Sequence, residues 1–216
     1  MPDLEKWVRV NPSQPDPKIV QKAGEIIRSQ GVVVFPAQTL YGLAANALDA
    51  GAVKRIFELK QRPESKPILI LVKNREEILG LVKSIPRNAQ ILMDRFWPGS
   101  LTLVFEASPA LPPVLTAHTG KIGIRVPAQP VAKALARAAG YPITGTSANQ
   151  SGSPGCTDPI HLPESMIQGA DLILDAGPLK GGPGSTVLDV TANPVTILRE
   201  GAISKNDILS ALKTGK

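Results

Sequence analysis

The chain has 216 residues, 43% of them hydrophobic and 19% charged, which suits one full core and excludes wholesale disorder. A single cysteine, Cys156, excludes an internal disulfide, and two distant histidines leave no zinc constellation or Ser-His-Asp arrangement. No apolar run approaches the roughly 18 residues of a membrane span.

The net charge of +6 is unevenly spread. Lys54 to Arg95 holds ten Lys/Arg against five Asp/Glu, and Ala107 to Thr157 holds no acid but adds Lys121, Arg125, Lys133 and Arg137. Solvated helix faces account for Lys54, Arg55, Lys133 and Arg137, whereas a concave polyanion site is the sharper reading of the rest. Met1 to Glu5 lacks the basic and apolar regions of a secretory leader, so a cytoplasmic setting is expected.

The hydrophobic period alternates along the chain. Ile19, Val20, Ala23, Ile26 and Ile27 predict a helix after Asp16-Pro17, stopped at Gly31, and Val32 to Phe35 predicts a strand. Asp49 suits the cap of a second helix, with Val53, Ile56, Phe57 and Lys60 on one face. Ile68 to Val72 reads as a buried strand, Asn74 with Glu77 as a capping box, and Pro86 as the first turn of the next helix.

Trp97-Pro98-Gly99 breaks that helix before a strand at Leu101 to Phe105. Leu111 to Pro113 is a stiff connector, Ile122 to Val126 a strand, and Pro130 the start of a helix. Ile143 to Thr146 is a short strand that runs into a small-residue loop, Ser147 to Pro159. Leu172 to Leu174, Val187 to Val190 and Val195 to Leu198 complete the strands. Ile203 and Ile208 then bracket Ser204 and Asp207 as a staple around a capped terminal helix. With no linker or internal repeat, this pattern predicts a single α/β domain over 1–216 with its core at about 16–203.

Three segments could carry chemistry. Lys60-Gln61-Arg62-Pro63-Glu64-Ser65-Lys66-Pro67 presents three cations on a proline-stiffened stretch, suited to polyphosphate or to complementing a helix dipole. Thr144 to Gly152 offers hydroxyls and amides after a strand, either for phosphate or as a self-bonded turn. Gly181-Gly182-Pro183-Gly184-Ser185-Thr186 lacks the lysine of a P-loop, and is either a tight hairpin or a loop that lines a ligand through Ser185. Cys156 and the two histidines read as ordinary loop residues, and Trp97 as a core or hinge anchor.

Five blocks in register resemble one family. Val34-Phe35-Pro36 with Thr39-Leu40-Tyr41-Gly42-Leu43, then Lys60-Gln61-Arg62-Pro63, Trp97-Pro98-Gly99, Ile124-Arg125-Val126-Pro127 and Thr146-Ser147-Ala148-Asn149 look like the YrdC/TsaC family. These are the L-threonylcarbamoyladenylate synthases of tRNA modification. The resemblance implies a twisted mixed sheet flanked by helices around a large basic cavity. It implies that L-threonine, bicarbonate or CO2, and ATP give threonylcarbamoyl-AMP and pyrophosphate. The family's Lys-x-Arg and Ser-x-Asn signature falls on Lys60, Arg62, Ser147 and Asn149. ATP contacts fall on Arg62, Lys66, Lys121, Ser147, Gly155 and Arg199, and threonine contacts on Thr39, Arg125, Gly145 and Ser185.

Three positions depart from the family pattern: Ala37 and Gln38, in Ala37-Gln38-Thr39 where Thr-Glu-Thr is common, and Leu71 where longer relatives carry His. The resemblance further implies tRNA or double-stranded RNA as a partner, and a TsaD-type transferase downstream. No carboxylate cage stands out, so Mg2+ is expected to arrive with ATP. A carbamate attacking a triphosphate joins two anions, which a rigid Lys/Arg cluster favours without any side-chain nucleophile. The competing expectation is an RNA-binding module without catalysis, whose basic concavity grips backbone.

Overall fold

The computed structural model describes residues 6–215, so the leader reading at Met1 to Glu5 lies outside the described residues. Two mixed sheets form the frame. The first contains β1 (Trp7–Arg9), β2 (Val33–Pro36), β3 (Tyr41–Ala44), β8 (Thr146–Ser147) and β9 (Leu172–Asp175), ordered β1-β9-β2-β3-β8. The second contains β4 (Ile70–Leu71), β5 (Leu101–Glu106), β6 (Lys121–Arg125), β7 (Ile143–Thr144), β10 (Thr186–Asp189) and β11 (Thr196–Arg199), ordered β11-β10-β5-β6-β4-β7. The mixed α/β architecture matches the expected class; the division into two sheets was not visible in the strand pattern.

Six α-helices flank the sheets: α1 (Pro17–Arg28), α2 (Ala50–Lys60), α3 (Arg87–Phe96), α4 (Pro130–Ala139), α5 (Glu164–Gly169) and α6 (Lys205–Thr214). Their starts follow the expected capping chemistry. Asp16 accepts from Lys18 N at 2.8 Å, Asp49 from Ala52 N at 2.8 Å, and Ser204 from Asp207 N at 3.2 Å. Helix α1 packs on α4 through Gly24, where an added Cβ would lie 2.7 Å from the Ala138 carbonyl carbon.

Several local expectations shift. Helix α1 stops at Arg28, and Gln30, not Gly31, takes the left-handed conformation with φ 64°. Pro86 precedes α3 as its cap; Asn74 and Glu77 make the expected reciprocal bonds, Asn74 Oδ1 accepting from Glu77 N at 3.2 Å and Glu77 Oε2 from Lys73 N at 2.8 Å, but the turn they start is a 3-10 turn, Glu76–Gly80. The buried run Ile68 to Val72 contributes only Ile70–Leu71 to the ladder, because Ile68 N bonds to Leu115 O and Leu69 O accepts from Gly145 N. The segment Gly181 to Gly184 is no hairpin: it leads from β9 in one sheet to β10 in the other, and the hairpin partner of β10 is β11.

Ile143 to Thr146, expected as one strand, divides at Gly145. There the chain passes so close over β4 that an added Cβ would sit 2.6 Å from Leu69 Cδ1, and it leaves the second sheet for the first. Thr144 seals this seam. Its hydroxyl donates to Leu43 O and accepts from Ala45 N, both at 3.0 Å, with the side chain fully buried. Thr144→Val keeps the shape but removes both bonds and leaves the buried Ala45 N without its acceptor, so a loss of about 1–3 kcal/mol is expected in chemical denaturation. An unchanged midpoint would remove the seam from the account.

Candidate active site

Both sheets wall a cavity of about 580 Å³. Arg62, Lys121, Arg125 and Arg199 line it, against one lining carboxylate, Asp189, among the described residues. Strands β6, β5 and β10 form the floor, where alternate residues point up: Lys121, Gly123 and Arg125 on β6, Thr102 and Val104 on β5, and Val187 and Asp189 on β10. The register pairs Val104 with Gly123 and with Asp189, which makes a grid with Arg125 at one end and Lys121 at the other.

Arg125 is the unusual member. It is 8% exposed, forms no ion pair among the described residues, and its Nε is buried without a hydrogen-bond partner. Burial, and then the charge of Arg199, push its guanidinium down to about 10. A cation held in this way calls for an anion from outside the chain. Lys121, in contrast, is already paired with Asp189 at 2.8 Å. Burial raises the Asp189 carboxyl, but hydrogen bonds from Lys121 and Thr191 outweigh it and hold the group below its ordinary value.

Lys60 and Arg62 face different places. Lys60 sits on the buried face of α2, and its Nζ donates to Ser147 O, to Asn149 O at 2.7 Å and to Asn149 Oδ1 at 3.4 Å. It does not line the cavity; it lies behind the turn that does. Gln61, left-handed at φ 47°, ends the helix and redirects the chain. Arg62 then reaches the cavity, braced by Nε to Lys66 O at 3.0 Å and Nη2 to Pro67 O at 2.9 Å. Ser147 Oγ donates to Asn149 Oδ1, and Asn149 Nδ2 donates to Gln150 O and Ser153 O, so Asn149 is spent on shaping the turn while Ser147 lines the cavity.

Of the remaining expected site residues, Thr39, Gly145, Ser185 and Arg199 line the cavity, whereas exposed Lys66 and Gly155, packed against Leu40, do not. The departures Ala37 and Leu71 line it too, as apolar wall. Tyr41, Thr102 and Asp189 are among the lining residues that the sequence reading did not assign to the site. Tyr41 is fully buried, donates to Gly177 O at 2.7 Å and accepts from Ala176 N at 2.9 Å, and burial pushes its phenol up to about 12. Thr102 looks like part of an apolar strand, and Asp189 like a strand end.

The family model described as Telomere recombination, covering Sua5, YciO and YrdC, matches residues 25–201. The chain belongs to this family. Among Sua5/YciO/YrdC proteins, it is 41% identical over 189 residues to the threonylcarbamoyl-AMP synthase of Pyrococcus abyssi and 41% identical over 194 residues to that of Bacillus subtilis. These alignments cover 88% and 89% of the chain but 56% of each relative, so the chain spans little more than half the length of these relatives. Its fold is similar to P. abyssi Sua5 complexed with L-threonine, with TM-score 0.90, 38% identity, 95% of this chain and 60% of that one.

The buried amine behind the turn has a measurable signature. Burial, and then the charge of Arg62, push Lys60 from 10.5 down to about 8, against the three oxygens that favour its charged form. Between these values the unfolded chain binds more protons at this position, so Lys60 alone makes stability rise with pH across that window. Thermal melts of the native chain and Lys60→Met from pH 7.5 to about 10 are expected to show the native chain gaining relative to the variant. Parallel pH profiles would contradict the downward shift of the Lys60 amine.

Proposed function

We propose that this chain is an L-threonylcarbamoyladenylate synthase that converts L-threonine, bicarbonate or CO2, and ATP into threonylcarbamoyl-AMP and pyrophosphate. The observation that carries the reading is Arg125, a buried guanidinium with no anion of its own at one end of a basic cavity. The name of the relatives supports the reaction, and the threonine complex of P. abyssi Sua5 supports the substrate.

In this reading Arg125 takes the threonine carboxylate as a bidentate partner, close to Ser185, Thr39 and Gly145. The triphosphate lies toward Arg62, Lys121, Ser147 and Arg199, with Lys66 and Gly155 outside the cavity wall as outer contacts. The amine of threonine adds CO2 to give a carbamate. A carbamate oxygen then attacks the α-phosphorus and pyrophosphate leaves. Both reactants are anionic, and the cations lower the repulsion between them while fixing an in-line approach. Lys60 and Asn149 act one layer back by holding the Ser147 turn.

Asp189, the one lining carboxylate among the described residues, is occupied by Lys121 and Thr191, which fits Mg2+ arriving with the triphosphate and retaining waters better than a resident metal. The product would pass to a TsaD-type transferase that modifies tRNA adenosine, in the cytoplasm. A cation at the bottom of a cavity suits a small ligand better than an RNA backbone, which needs charge on an open surface.

Pyrophosphate release is expected only when ATP, threonine and dissolved CO2 are all present; equal release in CO2-depleted buffer would remove the carbamate. Arg125→Lys, which keeps the charge but loses the planar fork, is expected to raise the threonine KM about tenfold with a much smaller change for ATP. Loss of ATP binding with threonine binding intact would reverse the map.

A further inference from the structure

The proton inventory beside Arg125 assigns a role to a residue that the family signature does not include. Thr102 is fully buried on β5, and its Oγ1 lies 2.8 Å from Ser185 Oγ. The register that sets Leu103 opposite Ile124 and Val104 opposite Gly123, continued by one residue, sets Thr102 across from Arg125. We infer that Thr102 is a positioning residue: it donates to Ser185 and so directs the Ser185 proton into the cavity, making Ser185 a donor to the anion held by Arg125. This rests on the proposed function, since the anion is taken to be the threonine carboxylate.

A hydroxyl has one proton and two lone pairs, and a pair of hydroxyls can use only one proton between them. If Ser185 donated to Thr102, the Thr102 proton would be buried without an acceptor, because Ser185 Oγ is the sole hydrogen-bond partner of Thr102 Oγ1 among the described residues. The opposite direction leaves nothing stranded. Thr102 then fills one lone pair of Ser185, and Arg199 Nη2 approaches the same oxygen at 3.4 Å. Arg199 also donates to Ser185 O at 2.8 Å, which fixes the backbone. With both lone pairs facing donors, Ser185 keeps one function toward the cavity, which it lines at 7% exposure: it gives a hydrogen bond. The Ser185 hydroxyl and the Arg125 guanidinium, which has no ion pair or hydrogen bond of its own among the described residues, are thus donors at the same end of the cavity, suited to an anionic oxygen pair and unsuited to an ammonium group.

The test is calorimetric titration of L-threonine into the intact chain, native and with Thr102→Val, Thr102→Ser and Ser185→Ala, with thermal melts to verify folding. Thr102→Val and Ser185→Ala are each expected to weaken threonine binding about tenfold, Thr102→Ser to retain native affinity, and ATP affinity to stay within about twofold throughout. Native affinity in Thr102→Val or in Ser185→Ala, or equal losses in Thr102→Val and Thr102→Ser, would overturn the inference. Should Thr102→Val not fold, Thr102→Ala, which removes the hydroxyl without adding bulk, takes its place with the same expected loss and the same comparison with Thr102→Ser. A native chain that takes up no threonine would instead overturn the proposed function itself, and the inference with it.

Discussion

A guanidinium group on an inner strand of a sheet cannot shed its proton near neutral pH, and taking it out of water costs several kcal/mol unless an anion and hydrogen bonds compensate. Arg125 is such a group, and the chain supplies it with no carboxylate among the described residues. The surrounding architecture leaves room for one to arrive. Beside Arg125 on β6, Gly123 omits a side chain where a Cβ would already press within 3.2 Å of Thr102 Cγ2. Above it, the second sheet gives way to the first at Gly145, so the floor is roofed by a different layer. The cavity is the space that this crossing opens over an unneutralised charge.

The other cations divide into two kinds by the same criterion, namely what already neutralises or saturates them. Lys60 spends its ammonium on oxygens of Ser147 and Asn149, and Lys121 spends its own on Asp189. Arg62 and Arg199 bond to backbone carbonyls, which orient a guanidinium without cancelling its charge. Two residues apart, Lys60 and Arg62 therefore contribute differently, and the left-handed turn at Gln61 is the cause. A helix continuing through Gln61 would have carried Arg62 around the helix rather than out to the cavity.

Much of this was readable from the sequence because it rests on local chemistry. Asp16, Asp49 and Ser204 cap the helices their spacing announced, and Lys60 shares the expected helical face with Val53, Ile56 and Phe57, all of them buried. What escaped depends on contacts distant in sequence. Tyr41–Ala44 contains no alternation because both its faces are covered, and the split of Ile143 to Thr146 follows from the approach of Leu69 to Gly145. Thr102 is hidden among Leu101, Leu103 and Val104, and only the pairing of β5 with β6 and β10 reveals that it stands between Arg125 and Ser185. The cation-rich blocks were visible; that Lys121 and Lys60 are already satisfied was not, since that is decided by the positions of Asp189 and the Ser147 turn.

The central claim is that the unpartnered guanidinium at the cavity floor selects a carboxylate. Its most direct measurement compares L-threonine with its methyl ester, which keeps the amine and hydroxyl but loses the negative charge, by calorimetry on the unaltered chain. The account predicts that the ester binds at least about tenfold more weakly, the loss of one charge-assisted contact to a buried guanidinium. Equal affinity for the two ligands would mean that Arg125 does not hold the carboxylate, and would contradict the account.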